Sequence, residues 1–147
     1  MQDNPGTHVV VGVDGSPASV EALRQGHRLA TALGAEVHAL ACWENPQMYD
    51  GYAVMGIGGF EEKVEQILAQ AVQDAFGTQP PSNLRTRLVN GAPRQALLDA
   101  SKDAAMLVVG RRGHGGFGGL LLGSVSSACV AHADCPVLVV HAPRTSS

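Results

Sequence analysis

The chain has 147 residues, enough for one domain with a sizeable core. Thirteen Asp and Glu against ten Lys and Arg give a formal net charge of −3, which offers no electrostatic case for nucleic acid or an anionic membrane as partner. Three cysteines, Cys42, Cys129 and Cys135, are an odd number with no C-x-x-C pair, which argues against both a disulfide framework and a zinc ribbon.

The start, "MQDNPGTHVVVGVDGS", lacks a basic region followed by a long apolar core, and no apolar run reaches membrane-spanning length. The expectation is a soluble, cytoplasmic protein. "HVVVGVD" (8–14) is a β-branched run ending in a turn signal and reads as a first strand buried on both faces. Ser16 and Pro17 read as a cap and a first-turn proline opening a helix. Val20, Leu23, His27, Ala30 and Leu33 fall near one face of it, and Gly34 ends it. "EVHALAC" (36–42) is the second strand. Residues 43–59 show no clean period and read as a long loop.

From Phe60 the sequence is strongly amphipathic, with Phe60, Val64, Ile67, Leu68, Ala71, Val72 and Phe76 on one face. Glu61 and Glu62 suit a first helical turn, and Gly77 a stop. "NLRTRLVN" (83–90) alternates with Arg85 and Arg87 on one side, the signature of an edge strand. "APRQALLDASKD" is a short helix, "AAMLVVG" (104–110) an apolar strand, "SVSSACVAHA" a last helix and "CPVLVVHA" a last strand, with Pro136 at its start. Cys42 and Cys129 lie in apolar patterns and read as small buried hydrophobes.

Strands alternating with helices imply parallel crossovers and a three-layer α/β sandwich with a five-stranded parallel sheet. The first, fourth and fifth strands read as central or nearly so, and the third as an edge. An order of 3-2-1-4-5 fits, and it sets the fifth strand at the other edge. In such a sheet the chain reverses direction between the first and fourth strands, opening a crevice at their C-terminal ends. Asp14 ends one of these strands and Gly110 the other.

Seven of the fourteen residues from Gly110 to Gly123 are glycine. Without side chains, main-chain N–H groups can approach and cradle an anion, and the helix beginning near Ser124 adds further donors and a partial positive charge. Ser124 and Ser126 supply hydroxyls, and Arg111 and His114 further donors. No lysine precedes Ser124, so the stretch is not the phosphate loop G-x-x-x-x-G-K-[ST]. Gly113-x-Gly115-x-x-Gly118 matches the dinucleotide fingerprint formally, but it follows the fourth strand and opens no helix. The six histidines show no H-E-x-x-H or H-x-x-E-H spacing, which argues against a metal site made by the protein alone.

The spacing Gly110-x2-Gly113-x9-Gly123-Ser124 resembles the ATP-binding signature of the universal stress protein family. "VVVGVDGSPAS", "LVVGRRGHGG" and "LLLGSVSSACVAHADCPVLVV" extend the resemblance over residues 8–141 of a single domain. It implies an adenine nucleotide alpha hydrolase-like fold in a member that binds ATP or another adenine nucleotide, with Mg²⁺. By the same resemblance Asp14 meets the ribose or a bound Mg²⁺. Gly12 and Val13 line the adenine side, and the backbone near Cys42 reads the adenine edge. Gly110, Arg111, Gly113, Gly123, Ser124 and Val125 hold ribose and phosphates, with Ser126 close by. A homodimer through the strand at 136–141 is also implied, and this apolar strand suits it.

Two residues keep a second reading. "DGS" is also a plain turn, so Asp14 can serve as a turn residue. Ser124 can serve as a helix N-cap, a role compatible with phosphate contact. Two function classes follow. The first is a regulatory, stress-linked nucleotide-binding module with little or no hydrolysis, since no general base or water-positioning group stands in the motif. A member binding cyclic AMP belongs to the same class. The second is an enzyme on a related scaffold, a slow ATPase or an ATP-pyrophosphatase-like synthetase. The latter carries "SGGxDS" after its first strand, where this chain has "VDGSPAS".

Overall fold

The apolar runs become strands because β-branched residues in short segments pack well on a pleated surface covered from both sides. The computed structural model describes residues 8–44, 53–111 and 123–143. In chain order they form β1 (His8–Gly12), α1 (Pro17–Leu33), β2 (Glu36–Trp43), α2 (Ala53–Phe76), β3 (Leu84–Asn90), α3 (Pro93–Ser101), β4 (Met106–Gly110), α4 (Ser124–His132) and β5 (Val137–Val140). The five strands make one parallel sheet in the order β3-β2-β1-β4-β5. Alternation along the central strands feeds two cores. Val9, Val11, Val37 and Val108 pack with α1 and α2 on one face, and Val10, Leu107 and Val109 with Leu97 of α3 and Cys129 of α4 on the other. This is the three-layer sandwich that the alternation of strands and helices predicts. Among the described residues no helix is long and apolar enough to cross a membrane.

Helix α1 begins and ends where its sequence says it should. Ser16 caps it by accepting the Ser19 N–H at 3.2 Å, Pro17 follows, and Gly34 closes it at φ 69°. Its buried stripe runs through Val20, Leu23, Gly26 and Ala30, whereas Leu33 is 59 % exposed. Ten residues beyond Leu23, Leu33 is rotated about 80° off that stripe. His27 also sits beside the stripe and meets the Phe76 ring edge-on at 5.3 Å.

Helix α2 starts at Ala53, not at Phe60, so the loop expected over 43–59 is shorter at both ends. Trp43 closes β2, and residues 45–52 lie outside the described ones. Glycines at 56, 58 and 59 read as breakers, yet glycine costs a helix only about 1 kcal/mol per residue. Extending an existing helix needs no new nucleus. Glu61 and Glu62 accordingly stand inside the helix instead of in its first turn.

Strand β3 is an edge, and its Arg85 forms an exposed ion pair with Glu36 at 2.9 Å. Next to this pair, register brings β1 and β2 together so that the His8 and His38 rings stack at 4.3 Å, and His38 Nε2 lies 3.0 Å from Glu36 Oε1. Burial pushes the His8 pKa down, helped by the charges of His38 and Arg87 and opposed by Asp103 and Glu36. Its hydrogen bond with His38 holds the Glu36 carboxyl below its ordinary value. Both shifts act in one direction. A His that resists protonation when folded contributes its full stability above its unfolded value of 6.5, and loses it as pH falls from there through the lowered folded value. Glu36 adds a further loss as pH falls from 4.5 through its own lowered value. The urea midpoint is therefore expected to drop between pH 7.5 and 5.5, and His8→Gln to flatten that slope. An equal slope in the variant would assign the pH dependence to other groups.

Candidate functional site

The sheet order creates the crevice. Strand β1 leads outward to β2 and β3, the chain returns through α3 to β4 on the other side of β1, and the C-terminal ends of β1 and β4 adjoin. Gly12 ends β1 close to Leu97, and a Cβ there would stand 2.9 Å from Leu97 Cδ1. Val13 is buried and its N–H donates to Leu40 C=O at 2.9 Å. Asp14 is exposed, and its Oδ1 accepts the Ser16 N–H at 2.9 Å while its own N–H reaches Ser19 Oγ at 3.3 Å. Ser19 Oγ in turn donates to Ser16 C=O at 3.0 Å. The turn reading of Asp14 thus holds in the structure, and the carboxylate is fixed at the mouth of the crevice by that turn.

Gly110, the last residue of β4, lies between two helix starts. A Cβ on it would stand 2.7 Å from Ala18 Cβ, 3.0 Å from the Ala18 carbonyl carbon and 3.2 Å from Ser19 N, all in the first turn of α1. Its carbonyl accepts the Ser126 hydroxyl from the first turn of α4. Arg111 continues the path, its N–H donating to Val140 C=O at 2.7 Å and its C=O accepting the Gly123 N–H at 2.9 Å. The two ends of the glycine stretch are therefore held together. Gly113, like His114, falls outside the described residues.

Gly123 itself is the N-cap of α4, with no side-chain cap bond, so the cap reading of Ser124 does not hold. Ser124 is the exposed first residue of the helix, and Val125 is half-buried against the α3–α4 core. A helix capped by glycine leaves its first N–H groups to be met by something other than a cap side chain. With α1 beside it, two partial positive charges converge on the crevice.

Cys42 stands at the far side. In a parallel strand, successive residues direct their main-chain groups alternately to the two neighbours. Leu40 C=O serves β1's side through Val13, and Trp43 C=O serves β3's side through Gly91 N–H at 2.9 Å. The Cys42 N–H and C=O therefore face β1's side, past the last β1–β2 pair at Gly12 and Leu40. That presents one donor and one acceptor along the crevice. Burial, aided by Glu44, pushes the Cys42 thiol up to about 11. Burial also raises Cys129 and Cys135. Cys129 is the buried residue that its apolar pattern predicts, whereas Cys42 is only half-buried because it lies at the end of β2, and its raised pKa disfavours a thiolate nucleophile. The folded protein is expected to resist iodoacetamide at pH 7.5 at Cys129 until urea unfolds it; rapid labelling there would contradict its burial.

Among the described residues no group of three or more His, Cys, Asp or Glu could hold a metal ion. Asp14 offers a hard oxygen donor, so a Mg²⁺ there needs phosphate oxygens and water for its remaining ligands. The site residues that the sequence pattern passes over are Ser19 and Ala18. The spacing in "DGSPAS" is the available signal, since Ser16 and Ser19 stand three apart at a helix start.

Comparison with known proteins agrees with this architecture. A model of the universal stress protein family matches residues 6–141. A universal stress protein of Mycolicibacterium smegmatis is 36 % identical over 140 residues, covering 92 % of this chain and 46 % of the relative. The chain thus spans about half the length of the curated relatives it matches. Universal stress protein UspA from Lactobacillus plantarum superposes with a TM-score of 0.75 at 23 % identity, covering 95 % of this chain and 99 % of that one. A universal stress protein crystallised in complex with cAMP has a TM-score of 0.60 at 27 % identity, covering 96 % of this chain and all of its own. The sheet order, the glycine spacing and these matches lead to one conclusion: the chain belongs to the universal stress protein family.

Proposed function

We propose that the protein is an adenine nucleotide-binding regulatory module that turns its ligand over slowly or not at all. The observation that carries this reading is the convergence of the α1 and α4 first turns on Gly110, with Asp14 and the Cys42 main chain at the same crevice. Main-chain amides of Ser124 and Val125, with Gly123, Arg111 and Gly113 beside them, hold the phosphates. Asp14 addresses the ribose or a nucleotide-bound Mg²⁺. Gly12 and Val13 line the adenine. The Cys42 N–H donates to a ring nitrogen, and its C=O accepts from the exocyclic amine. The complex with cAMP seen in a 27 % identical protein supports an adenine nucleotide as ligand class.

Titration with ATP, ADP, AMP, cyclic AMP and adenosine, followed by a long hydrolysis assay, tests this. Binding with negligible turnover is expected, and affinity for ATP should fall about tenfold in Ser124→Ala or Gly113→Val, the scale of one charge-assisted hydrogen bond. Absence of binding at millimolar nucleotide would overturn the reading. Rapid multiple turnover would move the protein to the enzyme class.

The same reading includes a homodimer through β5. This edge strand presents Val137, Leu138 and Val139 only half-buried. A second copy pairing along it would cover them and complete the strand's hydrogen bonds. Sedimentation at micromolar concentration is expected to show a dimer that Val139→Lys shifts to monomer.

A further inference from the structure

We propose that Ser19 and Ser126 are positioning residues, a pair of buried hydroxyls that fasten the two helix starts to the ends of β1 and β4 and so set the geometry of the crevice. This rests on the nucleotide-binding reading above and adds to it two residues that act without touching the ligand.

The argument begins with the proton each hydroxyl carries. A serine has one O–H donor, and phosphate oxygens are acceptors only. Ser126 Oγ donates to Gly110 C=O and is 4 % exposed. With its proton engaged there, it has none to offer a phosphate. Ser19 Oγ donates to Ser16 C=O and accepts the Asp14 N–H, and Ser19 is 3 % exposed. Its hydroxyl is likewise fully engaged within the frame.

The two act on different parts of the site. Ser126 ties the first turn of α4 to the end of β4, and that turn bears the amides of Ser124 and Val125. Ser19 ties the first turn of α1 to the Asp14 backbone. They meet at Gly110, whose carbonyl Ser126 holds and whose missing side chain lets Ser19 N approach. A buried hydroxyl is costly unless bonded, so a hydroxyl at each of these two points has a specific use.

Removing each hydroxyl therefore has a separable effect. Ser126→Ala loosens the phosphate end, so ATP affinity is expected to fall about tenfold and at least five times further than adenosine affinity. Ser19→Ala loosens Asp14 at the ribose, which both ligands carry, so with Mg²⁺ left out ATP and adenosine affinities are expected to fall by a common factor of about three to ten. Isothermal titration of both ligands against both variants reads this crossed pattern, which a uniform loss of folding stability cannot produce. Parallel losses in the two variants, or no loss in either, would overturn the proposal. A ligand-free measurement stands beside it. Ser127 N–H bonds to Gly123 C=O at 2.9 Å, and Gly123 N–H to Arg111 C=O at 2.9 Å. Hydrogen exchange of these two amides is expected to quicken about tenfold in Ser126→Ala. Unchanged exchange would refute the fastening role. This arm decides the matter even where the wild-type protein binds neither ligand, the outcome that defeats the nucleotide reading itself. Should Ser126→Ala unfold, Ser126→Cys, close in size with a weak donor, is read in its place.

Discussion

Gly110→Val is expected to weaken adenine nucleotide binding by about 10- to 100-fold and to destabilise the protein by about 2–3 kcal/mol, the range of an overpacked core position. Strand propensity alone predicts the opposite, since a β-branched residue in a central strand gains up to about 1 kcal/mol over glycine. Contact decides the sign. The new Cβ would stand 2.7 Å from Ala18 Cβ and 3.0 Å from the Ala18 carbonyl carbon. A backbone atom cannot rotate out of the way, so the first turn of α1 must shift, and Asp14 and Ser19 shift with it. Urea titration and calorimetric binding measured together check both halves. A Gly110→Val protein that binds ATP like wild type would show that the crevice does not depend on the approach of α1.

The second large effect concerns the centre of the sheet. Helix α1 crosses it at Gly26, where an added Cβ would stand 2.5 Å from Val11 Cγ2 and within 4 Å of Val37 and Val108. Val11 is fully buried, and its branched side chain is stiff. Replacing a helical glycine by alanine gains about 1 kcal/mol of helix propensity, whereas overpacking costs about 1–3 kcal/mol. Gly26→Ala is expected to lose about 1 kcal/mol net, and Gly26→Val about 3 kcal/mol or more, with the longer side chain forced toward the sheet. Combining Gly26→Ala with Val11→Ala restores volume, so the pair should couple favourably by at least about 1 kcal/mol in a double-mutant cycle. Strict additivity of the two would mean that the helix does not rest on Val11.

Gly26 also shows why part of the molecule was not legible in sequence. Hydropathy assigns a helix face from side chains, and glycine has none, so His27 entered the expected stripe and Gly26 did not. The strand order was legible for the opposite reason. The apolar runs Val9–Val11 of β1 and Met106–Val109 of β4 require cover on both faces, and Arg85 and Arg87 require an edge. The crevice then follows from topology, and Asp14 and Gly110 from their places at strand ends. What pattern reading lacks is register. The stacking of His8 on His38 depends on which residues of β1 and β2 lie opposite each other, and the bond from Ser126 to Gly110 on a closure across the glycine stretch. The start of α2 at Ala53 escapes pattern reading because its glycines signal a break that helix extension tolerates.

The pairing of β1 with β4 carries a temporal consequence. Val9 lies opposite Met106, so the two walls of the crevice come from chain positions about a hundred residues apart. Closing so long a loop is slow and gains nothing until the strands meet. A growing chain that has reached only α3 already contains Asp14, Ser16 and Ser19, but no cleft for them to serve. Any ligand of this crevice can therefore be held only once synthesis has delivered β4 and α4, when only the edge strand β5 is still to come.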